Sequence, residues 1–239
     1  MRLLCINPNT SADMTAKVVG ALRPFLPAEA EILPATGRFG APYISTRATY
    51  VIGGHAALDL LAHHADELFD AVLLACFGDP AILALREISA VPVIGMAEAS
   101  MLLATRENGK FSIVTGGKAW EPMLQEYAAN IGLADRLASI RTTTATGGEI
   151  YRNPLAAQKQ LLAEIAACQS DGASHVILGG AGLAGMAAQL RPLSPLPIID
   201  CVEALALIAS EAVRYNQAKG LAASPSPEAR RLAEAAWFK

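Results

Sequence analysis

The chain has 239 residues, of which 53% are hydrophobic and 17% charged, with a formal net charge of −3 and four cysteines. The charge balance gives no electrostatic case for nucleic acid or a membrane surface, and the apolar content predicts a compact α/β protein with ample core. No apolar run approaches the roughly 18 residues of a bilayer span, the apolar part of the N-terminus is shorter than the roughly 7–15 of a signal-peptide core, and no CxxC pair suggests zinc or a disulfide framework. The expectation is a cytoplasmic protein with free thiols.

Residues 1–9 read as a strand and turn, and 11–26 as a helix with Ser11 as N-cap. Residues 28–35 read as a second strand, 36–50 as a loop, 51–70 as a helix with apolar residues at helical spacing, and 71–77 (AVLLACF) as a buried strand. A helix over 79–89 and a strand running into a helix over 91–108 follow. The pattern then restarts with a strand at 110–117, a helix at 118–132, a weaker strand over 133–143 and a helix at 153–172. A buried strand, HVILGG, spans 175–180. A strand plus long helix over 196–220 comes next, and 223–239 reads as a loop and short terminal helix. Short, uninterrupted apolar strands alternating with helices predict mostly parallel sheets with helices on both faces, whose ligands bind beyond the carboxyl ends of the strands.

The second half repeats the first. AVLLACFGDPAI at 71–82 matches HVILGGAGLAGM at 175–186, and VPVIGMAEA at 91–99 matches LPIIDCVEA at 196–204. Cys76 then pairs with Gly180, Gly78 with Gly182, Pro92 with Pro197 and Glu98 with Glu203. The expected architecture is two pseudo-symmetric lobes. One comprises residues 1–96 plus roughly 207–239, the other roughly 97–206.

The turns INPNT, ACFGD, VTGGK and LGGAG fall at strand ends. Cys76, just past a buried strand and before a helix, is expected near free backbone N–H groups and a helix dipole that favours the thiolate. The amides of Phe77 and Gly78 are candidates to hold a carboxylate or enolate oxygen. The alternative is that Cys76 is a small buried hydrophobe. Asn9 and Thr10, with Asn7 and Ser11, are suited either to bind a ligand carbonyl or to form a turn and helix cap. Thr115, Gly116 and Gly117 occupy the matching strand end of the second half. Cys5 is expected in the core and Cys168 in helix packing, with Cys201 a weak candidate for the site. His63 and His64 are adjacent and make no metal pair, and His175 is expected to be exposed. Glu98 and Glu203 begin helices and suit their N-termini. No GxGxxG follows a strand, and GxxxxGK[ST], GxSxG and HExxH are missing, so no cofactor or metal is expected.

In its motifs the chain resembles the hydantoin and allantoin racemases of the aspartate/glutamate racemase superfamily. These motifs are INPNTS at 6–11, PYIS at 42–45, ACFGDP at 75–80, LREISAVPVIGMAEA at 85–99, FSIVTGG at 111–117, and LGGAGLAGM followed by PIID. The similarity runs in order along nearly the whole chain. It implies an active site in a cleft between two lobes and cofactor-independent chemistry at a carbon next to a carbonyl, flanked by two cysteines. Cys76 matches the first family cysteine, and the second falls on Gly180. Asn9 and Thr10 match a substrate-binding turn, Tyr43, Ile44 and Ser45 a loop near the site, and Thr115 a contact from the other lobe. The amides around Ala181 and Gly182, with those of Phe77 and Gly78, are expected to stabilise an anionic intermediate. Arylmalonate decarboxylase, a relative, is similar in using one cysteine, in the mirror arrangement.

Glycine at 180 has no side chain to return a proton, so single-thiol chemistry is expected on a small carbonyl, carboxylate or cyclic ureide. It would take the form of one-face proton transfer, decarboxylation, isomerisation or amide ring opening. The alternatives are a true racemase with a substitute second base, such as water or Cys201, and a catalytically degenerate binding protein. The expected partner is a small-molecule substrate, and a homo-oligomer is compatible with the apolar helical surface.

Overall fold

The computed structural model describes residues 1–221, 223 and 225–235. It divides into two units, Met1–Met96 with Leu205–Lys239, and Ala97–Ala204. The first unit contains β1 (Arg2–Asn7), α1 (Ala12–Leu22), β2 (Glu31–Thr36), α2 (Arg47–His63), β3 (Ala71–Leu74), α3 (Ile82–Ile88) and β4 (Val93–Gly95). Its strands form one parallel sheet in the order β2-β1-β3-β4. The chain leaves through α4 (Met96–Ala104). The second unit holds β5 (Lys110–Gly116), α5 (Trp120–Asn130), β6 (Leu137–Thr143), α6 (Gly147–Arg152), α7 (Pro154–Ser170), β7 (Ala173–Leu178), α8 (Ala187–Leu190) and β8 (Ile198–Asp200). Its sheet is also parallel, in the matching order β6-β5-β7-β8. The chain returns through α9 (Cys201–Ala218) and closes with α10 (Pro227–Glu234).

The central strands are apolar throughout because crossover helices cover a parallel sheet. Leu4, Ile6, Val72 and Leu74 lie on one face with Leu60 and Leu61 of α2 and Leu85 of α3. In the second unit Val114, Val176 and Leu178 pack with Leu161, Ile165 and Cys168 of α7. Among the described residues no helix is long and apolar enough to cross a membrane.

The internal repeat is visible bond by bond. The Arg86 Nε donates to the Val93 carbonyl at 3.1 Å, and the Arg191 Nε to the Ile198 carbonyl at 3.3 Å. Ser89 and Ser194 hydroxyls donate to the carbonyls of Val91 and Leu196, two residues on. Val72 N and Val176 N donate to the carbonyls of Pro92 and Pro197, each at 2.9 Å.

Several local expectations need correction. Strand β3 ends at Leu74, so Cys76 stands in a turn. Residues 47–50 are helix, not loop, because Thr46 caps α2 and forms a capping box with Thr49. The same device, Thr146 with Glu149, starts α6, a helix the apolar pattern does not announce. Helix α2 carries Gly53 and Gly54 mid-helix, at a cost of about 1 kcal/mol each relative to alanine. A Cβ at 53 would meet Ile44, and one at 54 would stand 3.0 Å from the Ala81 Cβ, so the pair lets α2 lie close to both segments. The terminal helix is α10, and residues 236–239 of that expectation lie outside the described residues.

His175 is buried at 3% exposure, not exposed. It lies inside β7, with Nε2 3.0 Å from the Ala104 carbonyl and Nδ1 3.0 Å from the Ser174 hydroxyl. Burial holds its pKa below the ordinary value. The unfolded chain therefore takes up this proton first as pH falls below about 6.5. Stability from this group is fully present above that pH and is lost below it, with a slope of at most about 1.4 kcal/mol per pH unit. Urea unfolding at pH 8 and pH 5.5 should show the loss, and His175→Gln should flatten the slope. An equally steep slope in the variant would exclude His175 as its source.

Candidate active site

The strand ends of the first unit gather three segments around α2. After β1, the Asn7 Nδ2 donates to Asn9 Oδ1 and to Thr15 Oγ1, each at 2.9 Å, and Asn9 Oδ1 also accepts from the Ser11 amide at 2.9 Å. Asn7 is fully buried and serves as the hub of this turn. Asn9 spends its oxygen inward, and among the described residues its Nδ2 donates no hydrogen bond, which leaves that group for a ligand. The Thr10 amide donates to the Ala41 carbonyl at 3.1 Å, tying this turn to the segment that carries Tyr43, Ile44 and Ser45. Ile44 is buried against Gly53, while Tyr43 and Ser45 are half-buried. Ser11 caps α1 by accepting from the Met14 amide.

Cys76 follows β3 in the turn before α3. Ala75 N donates to the Ile6 carbonyl, Asp79 N to the Cys76 carbonyl at 3.0 Å and Ile82 N to the Asp79 carbonyl. None of the turn's bonds among the described residues uses the amides of Phe77 or Gly78.

The electrostatics differ from the expectation. Helix α3 begins only at Ile82, so Cys76 is not at a helix mouth. Cys76 is 8% exposed, and burial, reinforced by the negative charge of Asp79, pushes its pKa well up. Cys76 therefore rests as a neutral thiol, not as a stored thiolate. Asp79 is fully buried, and a side chain at Gly95 would run into its carboxylate.

The equivalent turn after β7 is built otherwise. Gly180 adopts φ 129° and ψ 133°, a conformation that residues with a Cβ rarely take. Its carbonyl accepts from the Leu183 amide at 2.9 Å and from the Cys201 thiol at 3.9 Å. A Cβ at 180 would lie 3.2 Å from a Leu183 methyl and 3.5 Å from the Thr115 hydroxyl. Thr115 is 4% exposed, and its hydroxyl makes no hydrogen bond among the described residues. Gly180 and Ala181 are half-open, while Gly182 is buried with its Cα against the Gly147 backbone. Cys201, 1% exposed and bonded behind the turn, holds the Gly180 carbonyl and is not presented as a substitute base.

The acid at this level is exchanged between the repeats. Leu183 stands where the first half has Asp79, and Asp200 where it has Gly95. Asp200 Oδ1 accepts from the Val202 amide at 2.7 Å, so it caps α9. Glu203 pairs instead with Arg191.

Cys5 is core, as expected. Cys168 packs in the core of the second unit, as expected. Among the described residues no group of three or more His, Cys, Asp or Glu is placed to hold a metal ion. Sequence reasoning missed Tyr50, whose hydroxyl donates to the Gly78 carbonyl at 2.9 Å. The Thr46-x-x-Thr49 cap is the signal that would have placed Tyr50 on α2, one turn ahead of Gly54.

The chain matches the family model described as Asp/Glu/Hydantoin racemase over residues 3–209. It is 34% identical over 223 residues to a hydantoin racemase of Paenarthrobacter aurescens, covering 89% of this chain and 91% of the relative. The crystal structure of an allantoin racemase from Pseudomonas fluorescens superposes with a TM-score of 0.86 at 29% identity, covering 96% of each chain. An allantoin racemase from Klebsiella pneumoniae gives 0.85 at 31%, covering 96% of this chain and 93% of that one. Two parallel four-stranded sheets of matching strand order, a thiol in the turn after β3 and these likenesses converge, and the chain belongs to the Asp/Glu/hydantoin racemase family as an enzyme of that superfamily.

Proposed function

We propose that the protein moves a proton at the carbon beside a carbonyl of a small cyclic ureide or related carboxylate, from one face, with Cys76 as its one reacting thiol. The observation that carries this reading is the contrast between two equivalent strand ends. After β3 a thiol is followed by two uncommitted amides, and after β7 stands a glycine in a conformation that residues with a Cβ rarely take. A neutral Cys76 is suited to give its proton to a carbanion, and the resulting thiolate is the base for the reverse step. The amides of Phe77 and Gly78 are assigned to the developing oxyanion, each well-placed donor contributing about 3–4 kcal/mol. Asn9, with its uncommitted side-chain amide, is assigned to orient the ring, and Thr10, Tyr43 and Ser45 to the approach. The names of the relatives point the substrate toward hydantoins and allantoin, in which an acidic ring carbon adjoins a carbonyl. Because burial and Asp79 raise the thiol, proton removal by the thiolate should accelerate with pH through and beyond the ordinary thiol range near 8.5.

The test is incubation of single enantiomers of 5-substituted hydantoins and of allantoin in deuterated water. Deuterium should enter the ring carbon while optical purity outlasts it. Loss of optical purity in step with deuterium uptake would establish a second proton donor and a true racemase. The raised thiol also favours a second reading, protonation of a carbanion left by decarboxylation. Carbon dioxide release from a substituted malonate, without exchange of hydantoins, would select it. Ligand binding without turnover of either class, unaffected by Cys76→Ala, would leave a binding protein.

A further inference from the structure

Backbone strain collects in the Cys76 turn, and the roles assigned to Cys76 and its two following amides do not explain it. Asp79 at φ 52° and Ala81 at φ 59° are the two non-glycine residues with left-handed backbone among those described, and Gly78 stands at φ 146°. Such conformations cost free energy of the order of a net hydrogen bond or more, so they persist only where neighbours hold them. The peptide joining Gly78 to Asp79 is held at both ends. Its N–H donates to the Cys76 carbonyl at 3.0 Å, and its carbonyl accepts from the Tyr50 hydroxyl at 2.9 Å. Turning this peptide over breaks both bonds.

Tyr50 is well placed for the task. It lies four residues before Gly54, so the two share a face of α2, and the missing side chain at 54 lets that face approach Ala81. Burial and the negative charge of Asp79 push the phenol up to about 12, so it remains a donor at any working pH. The turn after β7 is held by other contacts. There the Gly180 carbonyl is held by Leu183 and Cys201, and Gly182 by its contact with Gly147.

We propose that Tyr50 is the positioning residue of the Cys76 turn. By holding the Gly78 carbonyl, it fixes the Gly78–Asp79 peptide in the orientation that keeps the thiol packed and leaves the Phe77 and Gly78 amides for a substrate oxygen. The role rests on the reading of Cys76 as the reacting thiol. Tyr50 touches the turn, not the reacting atoms, and acts through it.

Tyr50→Phe keeps the ring and removes the donor. Losing one net hydrogen bond should raise the open population of the turn about 5- to 10-fold, read as faster iodoacetamide labelling of Cys76 by peptide mass spectrometry. The amides of residues 77–81 should exchange faster by a similar factor, and the pH profile of labelling should shift as the thiol meets more water. If the wild type exchanges hydantoin C–H, the variant's kcat should fall about 10- to 100-fold with a smaller change in KM. Gly54→Ala, which presses α2 away from Ala81 but keeps the hydroxyl, should move labelling in the same direction by less. Labelling rate, pH profile and amide exchange unchanged from wild type in both variants would overturn the proposal, whatever the activity. A wild type inert on every hydantoin would sink the functional reading, and the labelling and amide-exchange results would still decide the clamp.

Discussion

Cys76→Ala is expected to abolish C–H exchange, with a loss of about 100- to 10,000-fold, the range a positioned acid or base contributes. The fold should survive, because removing one sulfur from a buried site leaves a small cavity and no unpaired polar group. The thiol makes no hydrogen bond on which the turn depends. The turn is held by Ala75, Asp79 and Ile82 amides and by Tyr50, all of which remain. Removing the thiol also removes a titrating neighbour of Asp79 without touching that carboxylate. Cys76→Ser separates shape from acidity. Its hydroxyl fills the site but is far too weak an acid to exchange a proton at neutral pH, so it should be nearly as inactive as alanine. Proton NMR of a 5-substituted hydantoin in deuterated water reads both variants, and thermal unfolding checks that they fold. Residual exchange within a few-fold of wild type in folded Cys76→Ala would assign the chemistry to another group.

Much of the frame on which this chemistry sits is legible in the sequence. Continuous apolar runs such as AVLL and HVIL announce buried parallel strands. The repeat alone pairs Cys76 with Gly180, and the matched Arg86/Arg191 and Ser89/Ser194 bonds carry the same repeat. What stays hidden is whatever depends on contact between distant residues. The thiol's pKa follows from burial and from Asp79, not from its place after a strand, so the expectation of a stored thiolate reverses. Tyr50 reaches a carbonyl 28 residues away, which no local pattern records. His175 has a polar flank in sequence yet lies inside β7. Helix α6 could have been read from Thr146-x-x-Glu149, because the capping box is a local signal even where apolar periodicity is weak. The exchange of Asp79 and Gly95 for Leu183 and Asp200 is visible in the alignment of the halves. Its meaning, a carboxylate occupying the room a glycine leaves, needs the fold.

Gly180→Cys should fail as a simple route to a two-thiol enzyme. The backbone at 180 stands at φ 129° and ψ 133°, and any Cβ there meets about 1–3 kcal/mol of strain. At about 2–4 °C of Tm per kcal/mol for a chain of this size, the drop should be plain in thermal unfolding. The new Cβ also stands 3.2 Å from a Leu183 methyl, closer than most such contacts, and 3.5 Å from the Thr115 hydroxyl. Relief of strain would require turning the peptide whose carbonyl now accepts from Leu183 N and the Cys201 thiol, so the turn resists at both ends. Two controls divide these causes. Gly180→Ala shares the backbone cost without a thiol and should be destabilised about as much. Gly180→Cys with Leu183→Ala removes the close methyl but not the torsional cost, so stability should not return. Deuterium exchange at the substrate carbon should then continue through Cys76, with loss of optical purity lagging behind it. A Gly180→Cys protein as stable as wild type, racemising as fast as it exchanges, would show that the conformation at 180 adapts freely. Glycine there would then be a missing base, not a built feature of the turn.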